Sequence, residues 1–167
     1  MELGFSLGGN LGDRLAYMQA ARDALIAVEG STFLSQSPIY ETSPVGVREI
    51  YKELLYYNAV VVLSSPLSMD QWALELTRIE EQLGRERTED KNAPRTIDVD
   101  LIYADDLFID SGGLIVPHPR WASRRFVLQP LTDVRPDLRL PGESEPVKHL
   151  LRNLPQEETI EKRVTEW

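Results

Sequence analysis

Asp98 and Asp100 are separated by one residue, in a segment that is otherwise apolar like a protein core. Apolar and polar residues alternate through residues 94–103, which predicts a β-strand with both carboxylates on one face. At a separation of about 5 Å and an effective dielectric of about 20, two carboxylates repel each other by roughly 3 kcal/mol. A cation would remove this repulsion, and oxygen ligands favour Mg²⁺, which completes its shell with water and substrate phosphates. The pair alone fits either a magnesium site or the hydrated polar face of an edge strand.

Basic residues flank the two aspartates on both sides, although the chain as a whole is acidic. Four precede the pair and three follow it: Arg85, Arg87, Lys91 and Arg95, then Arg120, Arg124 and Arg125. The arginine guanidinium matches phosphate oxygens in a bidentate way, and cations around a candidate magnesium site suit a polyphosphate substrate. The alternative is a solvated loop in which these side chains pair with Glu86, Glu89 and Asp90.

Outside this charged cluster, a histidine, an amide and two aromatic residues are candidate ligand contacts. His118 lies between two prolines and is one of two histidines, so it is either a ligand contact or a structural hydrogen-bonding residue. Asn58 falls in an apolar segment that predicts a central strand, where a buried amide needs hydrogen-bond partners. Those partners are either backbone groups or the edge of a flat heterocycle. Tyr56 and Phe126 fit the core equally well.

The elements that must position these residues follow the order strand, helix, strand, strand, helix, strand. Strands are predicted over residues 3–7, 32–40 and 56–63 and at the aspartates, and helices over residues 15–28 and from the N-cap Ser68 to Gly84. This order is that of an α+β, ferredoxin-like βαββαβ core with an antiparallel sheet, packed helices and a C-terminal extension. The turn at residues 8–13 lacks the P-loop and dinucleotide-binding signatures, which favours a plain strand-to-helix turn.

The pattern is less regular after the aspartate strand. It predicts a strand at residues 107–109 that pairs back as a hairpin and a helical turn at residues 126–128. Residues 130–146 are predicted to be mostly irregular, followed by a short helix at residues 147–153 and an extended piece at residues 160–167.

Length and composition limit the class of protein. The chain has 167 residues, 42% of them hydrophobic and 27% charged, which predicts one globular domain over residues 1–167. The net charge of −9 argues against nucleic-acid binding, and the lack of cysteine excludes disulfides and cysteine-based zinc sites. No apolar run has the length of a membrane span. We therefore predict a cytoplasmic monomer without nucleic-acid or membrane partners.

Several short motifs, taken in order, resemble one known family. They are Gly8-Gly9-Asn10-Leu11, Tyr40-Glu41-Thr42-Ser43-Pro44-Val45-Gly46, Tyr57-Asn58-Ala59-Val60, Arg78-Ile79-Glu80, Gly84-Arg85-Glu86-Arg87, Pro94-Arg95-Thr96-Ile97-Asp98-Val99-Asp100-Leu101, Val116-Pro117-His118-Pro119 and Arg124-Arg125-Phe126-Val127-Leu128. Their order and spacing are similar to those of the 6-hydroxymethyl-7,8-dihydropterin pyrophosphokinases. These enzymes of folate biosynthesis transfer pyrophosphate from ATP to a pterin alcohol, and the resemblance covers essentially the whole chain.

The resemblance implies a role for each matching residue. Asp98 and Asp100 would hold two Mg²⁺ ions with ATP as co-substrate, and Arg85, Arg95 and Asp98 would be the catalytic residues. ATP would be bound by Glu80, Arg85, Arg87, Arg95, Leu101 through its backbone, His118 and Arg124. The pterin would be bound by Thr42, Pro44, Val45, Tyr56, Asn58 and Phe126, with the two aromatic rings on either side of it. The pterin hydroxyl would attack the β-phosphorus, and AMP would leave.

Two residues depart from the family pattern. Gly9 stands where the family often has serine, and Asn92 stands where it often has a tryptophan that helps to close a loop over the pterin. We therefore expect the charged loop at residues 85–94, which contains almost no apolar residue, to close differently in this protein.

Two other functions are compatible with the sequence. One is a Mg²⁺-dependent phosphotransferase with a non-pterin acceptor, and the other is a catalytically silent nucleotide-binding module. AMP formation that depends on hydroxymethyldihydropterin would distinguish the proposed activity from both.

Overall fold

An antiparallel sheet carries the fold, as seen in a computed structural model that describes residues 1–86, 89–90, 93–111, 114–156 and 159–167. The strands are β1 (Glu2–Gly9), β2 (Thr32–Gln36), β3 (Ile39–Thr42), β4 (Tyr56–Ser64), β5 (Asp98–Ala104), β6 (Ile109–Ser111), β7 (Leu114–Val116) and β8 (Ile160–Val164). The α-helices are α1 (Arg14–Ile26), α2 (Met69–Gln82), α3 (Arg125–Val134) and α4 (Val147–Asn153), and short 3₁₀ helices occur at Glu49–Tyr51 and Trp121–Ser123.

The strand order in the main sheet is β5-β1-β4-β3-β8, and β2 pairs with β4 beside β3. All of these pairs are antiparallel. Strand β4 is therefore central, and the predicted α+β, ferredoxin-like arrangement is confirmed. β6 and β7 form a separate two-stranded sheet.

The two faces of the main sheet are covered differently. Helices α1 and α2 cover one face, where a large core includes Leu3, Phe5, Leu7, Met18, Leu25, Val61, Leu63, Trp72, Ile79, Val99 and Leu101. Helices α3 and α4 pack on the other face against Val60, Val62, Ile102 and Tyr103. Each fully buried side chain of this kind contributes about 1.5–3 kcal/mol to stability. The second face is covered only in part, and its open portion forms the pocket described below.

The alternation predicted for β5 is confirmed by its burial pattern. Val99 and Leu101 belong to the first core, whereas Ile102 belongs to the second. The N-cap Ser68 is also confirmed: its side chain accepts a hydrogen bond from the Gln71 amide, and the Gln71 side chain accepts one from the Ser68 amide. This capping box fixes the start of α2, which carries Glu80 near its other end.

Three local predictions were wrong. The predicted strand at residues 32–40 is divided into β2 and β3, because Pro38 has no amide hydrogen and the Ser37 hydroxyl accepts from Val60 N instead. Residues 107–109 do not pair back on β5; Phe108 is 74% exposed, and Ile109–Ser111 pairs with Leu114–Val116. Helix α3 continues to Val134 because Leu131 extends its buried apolar face beyond Pro130.

The extended C-terminal piece becomes part of the main sheet. Its residues Ile160–Val164 form β8, which pairs with β3. Within the described ranges, no helix combines the length and apolar character needed to cross a membrane.

Candidate active site

The register of three strands places an acid, a glycine and an amide side by side. Gly8 in β1 pairs with Asn58 in β4 on one side and with Asp98 in β5 on the other. Cross-strand partners share a face of the sheet, so Asp98 and Asn58 lie on the same face with no side chain between them. A Cβ at Gly8 would lie 2.8 Å from Asn58 Oδ1, so glycine is required to keep this gap open.

The pocket occupies the open part of this face and measures about 630 Å³ with its mouth included. The residues predicted to bind a pterin all line it: Thr42, Pro44, Val45, Tyr56, Asn58 and Phe126. Four of the residues predicted for metal or ATP also line it, namely Arg95, Asp98, Asp100 and Arg124. The fold thus brings both predicted groups to one cavity.

Asn58 presents an oriented amide to the pocket. Its side chain is buried, and Nδ2 donates a hydrogen bond of 2.7 Å to Thr42 Oγ1. Because Nδ2 has this partner inside the protein, Oδ1 is the group left beside the gap at Gly8. The amide can therefore accept a hydrogen bond from an N–H group of a ligand.

Two arginines hold the carboxylate of Asp98. Arg85 Nη2 lies 2.8 Å from Asp98 Oδ1, and Arg95 Nη1 lies 2.5 Å from Asp98 Oδ2. All three side chains are mostly buried. These contacts compensate the charge of Asp98 and aim two guanidinium groups at the same part of the pocket.

Glu80 supports Arg85 from the side of helix α2. It is 5% exposed, Oε1 accepts a hydrogen bond of 2.9 Å from Val99 N, and Oε2 pairs with Arg85. Burial raises the pKa of Glu80 above its ordinary value, although Arg85 and the Val99 amide act in the opposite direction. Both carboxylate oxygens thus have partners within the protein, which makes Glu80 a positioning residue for Arg85 in this geometry.

Asp100 lies in an environment that disfavours its charged form. Burial and the neighbouring Asp98 raise its pKa, while Arg124, Arg85 and Arg120 oppose the shift. The described residues contain no cluster of three or more acidic or histidine side chains suited to a metal. The protein therefore offers two carboxylates on one face, a donor set that fits Mg²⁺ with the remaining ligands supplied by water and phosphate oxygens.

The turn after β1 anchors Arg95. Asn10 Oδ1 accepts from Arg95 N at 2.9 Å, and the amides of Asn10 and Leu11 donate to Arg95 O at 3.0 and 3.2 Å. A Cβ at Gly9 would lie 2.2 Å from the carbonyl oxygen of Thr96, so the close approach of the two segments requires glycine here. The turn is structural, as predicted, but the role of Asn10 was missed, although the Gly8-Gly9-Asn10-Leu11 motif contains it.

His118 is a neutral hydrogen-bond donor near pH 7. Its Nδ1 accepts from Arg120 N at 3.1 Å, which leaves the proton of the neutral ring on Nε2. Burial, followed by the charges of Arg124 and Arg120, lowers its pKa from 6.5 to about 4. His118 and Arg124 therefore contribute one neutral donor and one cation to the same region.

The remaining residues singled out in the sequence are Leu101, Arg87 and Asn92. The Leu101 side chain is buried in the core, so only its backbone is available to a ligand. β5 lies at one end of the strand order, and Val99, two residues earlier, directs its amide outward to Glu80. Leu101 follows two residues later, next to the register shift between β1 and β5. Arg87, predicted to bind ATP, and Asn92, predicted to alter loop closure, lie outside the described residues.

Comparisons with solved structures support the fold. A crystal structure of wild-type Plasmodium falciparum HPPK-DHPS with pteroate superposes with a TM-score of 0.71 at 14% identity, covering 90% of this chain and 42% of that chain. At this level of identity the likeness concerns the fold alone.

Sequence comparisons identify the family. The chain is 39% identical over 130 residues to the 2-amino-4-hydroxy-6-hydroxymethyldihydropteridine pyrophosphokinase of Bacillus subtilis, covering 77% of this chain and 75% of that protein. It is 38% identical over 133 residues to the folic acid synthesis protein fol1 of Pneumocystis carinii, covering 80% of this chain but only 17% of that longer protein. The family model described as 7,8-dihydro-6-hydroxymethylpterin-pyrophosphokinase (HPPK) matches residues 4–136. The chain therefore belongs to the 7,8-dihydro-6-hydroxymethylpterin-pyrophosphokinase family.

Proposed function

We propose that this chain transfers pyrophosphate from ATP to 6-hydroxymethyl-7,8-dihydropterin, giving AMP and the pterin diphosphate, as a step of folate biosynthesis. The observation that carries the proposal is the row formed by Asp98, Gly8 and Asn58 on the open face of the sheet. It joins a carboxylate pair, suited to Mg²⁺ and a polyphosphate, to an amide acceptor suited to a flat heterocycle. We also propose that residues 1–167 act as one domain.

The proposed roles divide the pocket into two halves. Asn58, Thr42 and the loop after β3 bind the pterin, and Tyr56 and Phe126 contact the faces of its ring. The side chains on the β5 side bind ATP and its phosphates: Arg85, Arg95, His118 and Arg124, with Arg87 as a further predicted contact. Asp98 lies at the boundary between these halves, close to the position proposed for the pterin hydroxyl.

The proposed reaction is a direct transfer between the substrates, with no covalent intermediate on the protein. The hydroxymethyl oxygen forms a bond to the β-phosphorus, the bond between that phosphorus and the oxygen bridging to the α-phosphorus breaks, and the hydroxyl proton is released. Arg85 and Arg95 stabilise the charge on the phosphate oxygens, and the pocket holds the two substrates in line. When bound, Mg²⁺ would neutralise phosphate charge, and Asp98 and Asp100 are the residues that would hold it.

We also propose two magnesium ions, as the resemblance to the family implies. Asp98 and Asp100 are the carboxylates that would hold them together with the phosphates of ATP, whose roughly four negative charges they would offset. The cytoplasmic location, the monomeric state and the lack of a nucleic-acid partner stay predictions.

The activity is tested by AMP release. With Mg-ATP alone we expect little turnover, and addition of 6-hydroxymethyl-7,8-dihydropterin should produce AMP and pterin diphosphate in equal amounts. ATP turnover that is independent of the pterin would favour a phosphotransferase with another acceptor. Binding of ATP without any turnover would favour a silent nucleotide-binding module.

The carboxylates are tested by Asp98→Asn and Asp100→Asn. Each should reduce the rate of pyrophosphate transfer by at least about 100-fold, because metal coordination supplies several kcal/mol of charge stabilisation. Their effects on stability without Mg²⁺ should differ. Asp100→Asn should raise the free energy of unfolding, because it removes repulsion from Asp98, whereas Asp98→Asn should lower it by about 1–3 kcal/mol through lost contacts to Arg85 and Arg95. Near-normal transfer rates in both variants would refute the metal assignment.

The pterin half is tested by Asn58→Ala. We expect its dissociation constant for the pterin to rise about 5- to 100-fold, because the lost contact is worth about 1–3 kcal/mol. The dissociation constant for a non-hydrolysable ATP analogue should change by less than about twofold. Thr42→Val keeps the amide but removes the hydrogen bond that orients it, so its effect on pterin affinity should be smaller. If calorimetric titration showed an equal loss of affinity for the pterin and for the ATP analogue, Asn58 would only stabilise the fold.

The buried, neutral His118 leads us to predict that the protein loses stability in acid. Its pKa is about 4 in the folded protein, below the ordinary value of 6.5, so the unfolded chain takes up the proton first as the pH falls. Stability should therefore decrease between pH 6.5 and about 4, by at most about 1.4 kcal/mol per pH unit from this residue. Urea denaturation at pH 7 and pH 5 should show a smaller loss for His118→Gln than for the wild type. The same loss in both proteins would contradict burial of a neutral imidazole.

A further inference from the structure

Strand β8 continues its pairing into the loop that borders the pocket. It pairs with β3 from Ile39 to Thr42. Beyond that strand, Ser43 N donates to Thr159 O at 3.1 Å, and Thr159 N donates to Ser43 Oγ at 3.3 Å. The loop after β3, residues 43–47, contributes Ser43, Pro44, Val45 and Val47 to the pocket wall. Ser43 is thus joined to Thr159 by two hydrogen bonds, one donated by the backbone amide of each residue.

The side chains on the back of the same strands form a charged brace. Thr42, Tyr56 and Asn58 face the pocket, so the intervening residues Glu41 and Tyr57, which are cross-strand partners, face the other way. The Glu41 side chain is 12% exposed. Arg163 of β8 donates to Glu41 Oε1 from Nε at 3.0 Å and from Nη2 at 2.7 Å. The Arg163 side chain is 47% exposed, so this pair adds a modest contribution to the backbone pairing that already joins β3 and β8.

Arg14 connects this brace to the other pterin-side strand. Its Nη2 lies 2.9 Å from Glu41 Oε2, and its guanidinium carbon lies 4.0 Å from the centroid of the Tyr57 ring. Its Nη1 donates at 2.9 Å to the carbonyl of Leu55, the residue before Tyr56. Burial opposes ionisation of Glu41, but hydrogen bonds from Arg163 and Arg14 outweigh it and hold the pKa of Glu41 below its ordinary value. One ionised carboxylate therefore links β8, β3, α1 and the start of β4.

We propose that Arg163, through Glu41, and the backbone of Thr159 are positioning residues for the acceptor half of the pocket. They keep β3 and residues 43–47 in the geometry in which Thr42 orients the Asn58 amide. Both residues lie outside residues 4–136, the part of the chain that the family model matches. The identity of the acceptor as a pterin rests on the proposed function.

The effect should be selective for the acceptor because of the strand order. β8 lies at the opposite end of the sheet from β5, which carries Asp98 and Asp100. β3, β4 and β1 lie between them, so a small shift of β3 reaches Thr42 and Asn58 before it reaches the ATP half. The brace should thus affect binding of the acceptor more than binding of the nucleotide.

The test compares Arg163→Met with the conservative variant Arg163→Lys and the control Arg152→Met. Arg152 is an exposed arginine on α4, so its variant makes the same chemical change away from β3. Calorimetry with 6-hydroxymethyl-7,8-dihydropterin, in the presence of a non-hydrolysable ATP analogue, should show a dissociation constant about fivefold higher for Arg163→Met. Arg163→Lys should recover part of this loss. Affinity for the ATP analogue, and both affinities of Arg152→Met, should change by less than about twofold.

Amide exchange of the ligand-free protein gives a second measurement that does not depend on the activity. Exchange at residues 43–47 should be faster in Arg163→Met than in the wild type and in Arg152→Met. Ser43→Ala, which removes the acceptor of the Thr159 amide, should have the same effect on exchange. The ligand affinity of Ser43→Ala does not test the proposal, because the Ser43 hydroxyl itself borders the pocket.

Two results would overturn the proposal. One is unchanged exchange at residues 43–47 and unchanged acceptor affinity in Arg163→Met. The other is an equal loss of acceptor and nucleotide affinity, which would mean that Arg163 contributes only to general stability. If the wild type neither binds the pterin nor forms AMP, the proposed function fails, whereas faster exchange in Arg163→Met and Ser43→Ala would still support the brace.

Discussion

The antiparallel register of β5, β1 and β4 is the constraint on which the pocket depends. It aligns Asp98 and Asn58 on either side of Gly8, and it places Asp100 and Val60 on either side of Ser6. A slip of one residue would turn every side chain of a strand to the opposite face, so the carboxylates would point into the core under α1 and α2. Burial of Val99 and Leu101 under those helices opposes such a slip, and the apolar core thereby fixes the position of the polar site.

The electrostatics of the site differ from those of the whole chain. The net charge is −9, yet Arg85, Arg95 and Arg124 converge beside Asp98 and Asp100, so the charge around the pocket is far less negative than that of the chain. The arginines are held by the fold before any ligand binds: Arg85 by Glu80 and Arg95 by the Asn10 turn. A site organised in advance in this way loses little free energy to reorganisation when charge moves during the reaction.

The parts of this arrangement that local pattern determines could be predicted from the sequence. The two-residue period of β5 and the N-cap at Ser68 depend on neighbouring residues only, and the motif resemblance supplied ten of the residues that line the pocket. Long-range contacts could not be predicted. Asn10 binds the backbone of Arg95 across 85 positions, and Arg163 binds Glu41 across 122. The boundary between β2 and β3 was missed, although Pro38 lacks the amide hydrogen that a continuous strand would use.

The position of Asp98 suggests how the two halves of the pocket communicate. Its carboxylate is shared by Arg85 and Arg95 in the ligand-free protein, and the same carboxylate is a proposed magnesium ligand. If Asp98 coordinated a cation, its contacts to Arg85 and Arg95 would weaken, and the two guanidinium groups could bind phosphate oxygens instead. A metal-bound polyphosphate at the proposed site would therefore exchange the partners of Asp98, Arg85 and Arg95. Asp98 also borders the gap over Gly8, so such an exchange would take place beside the part of the pocket that is proposed to bind the acceptor.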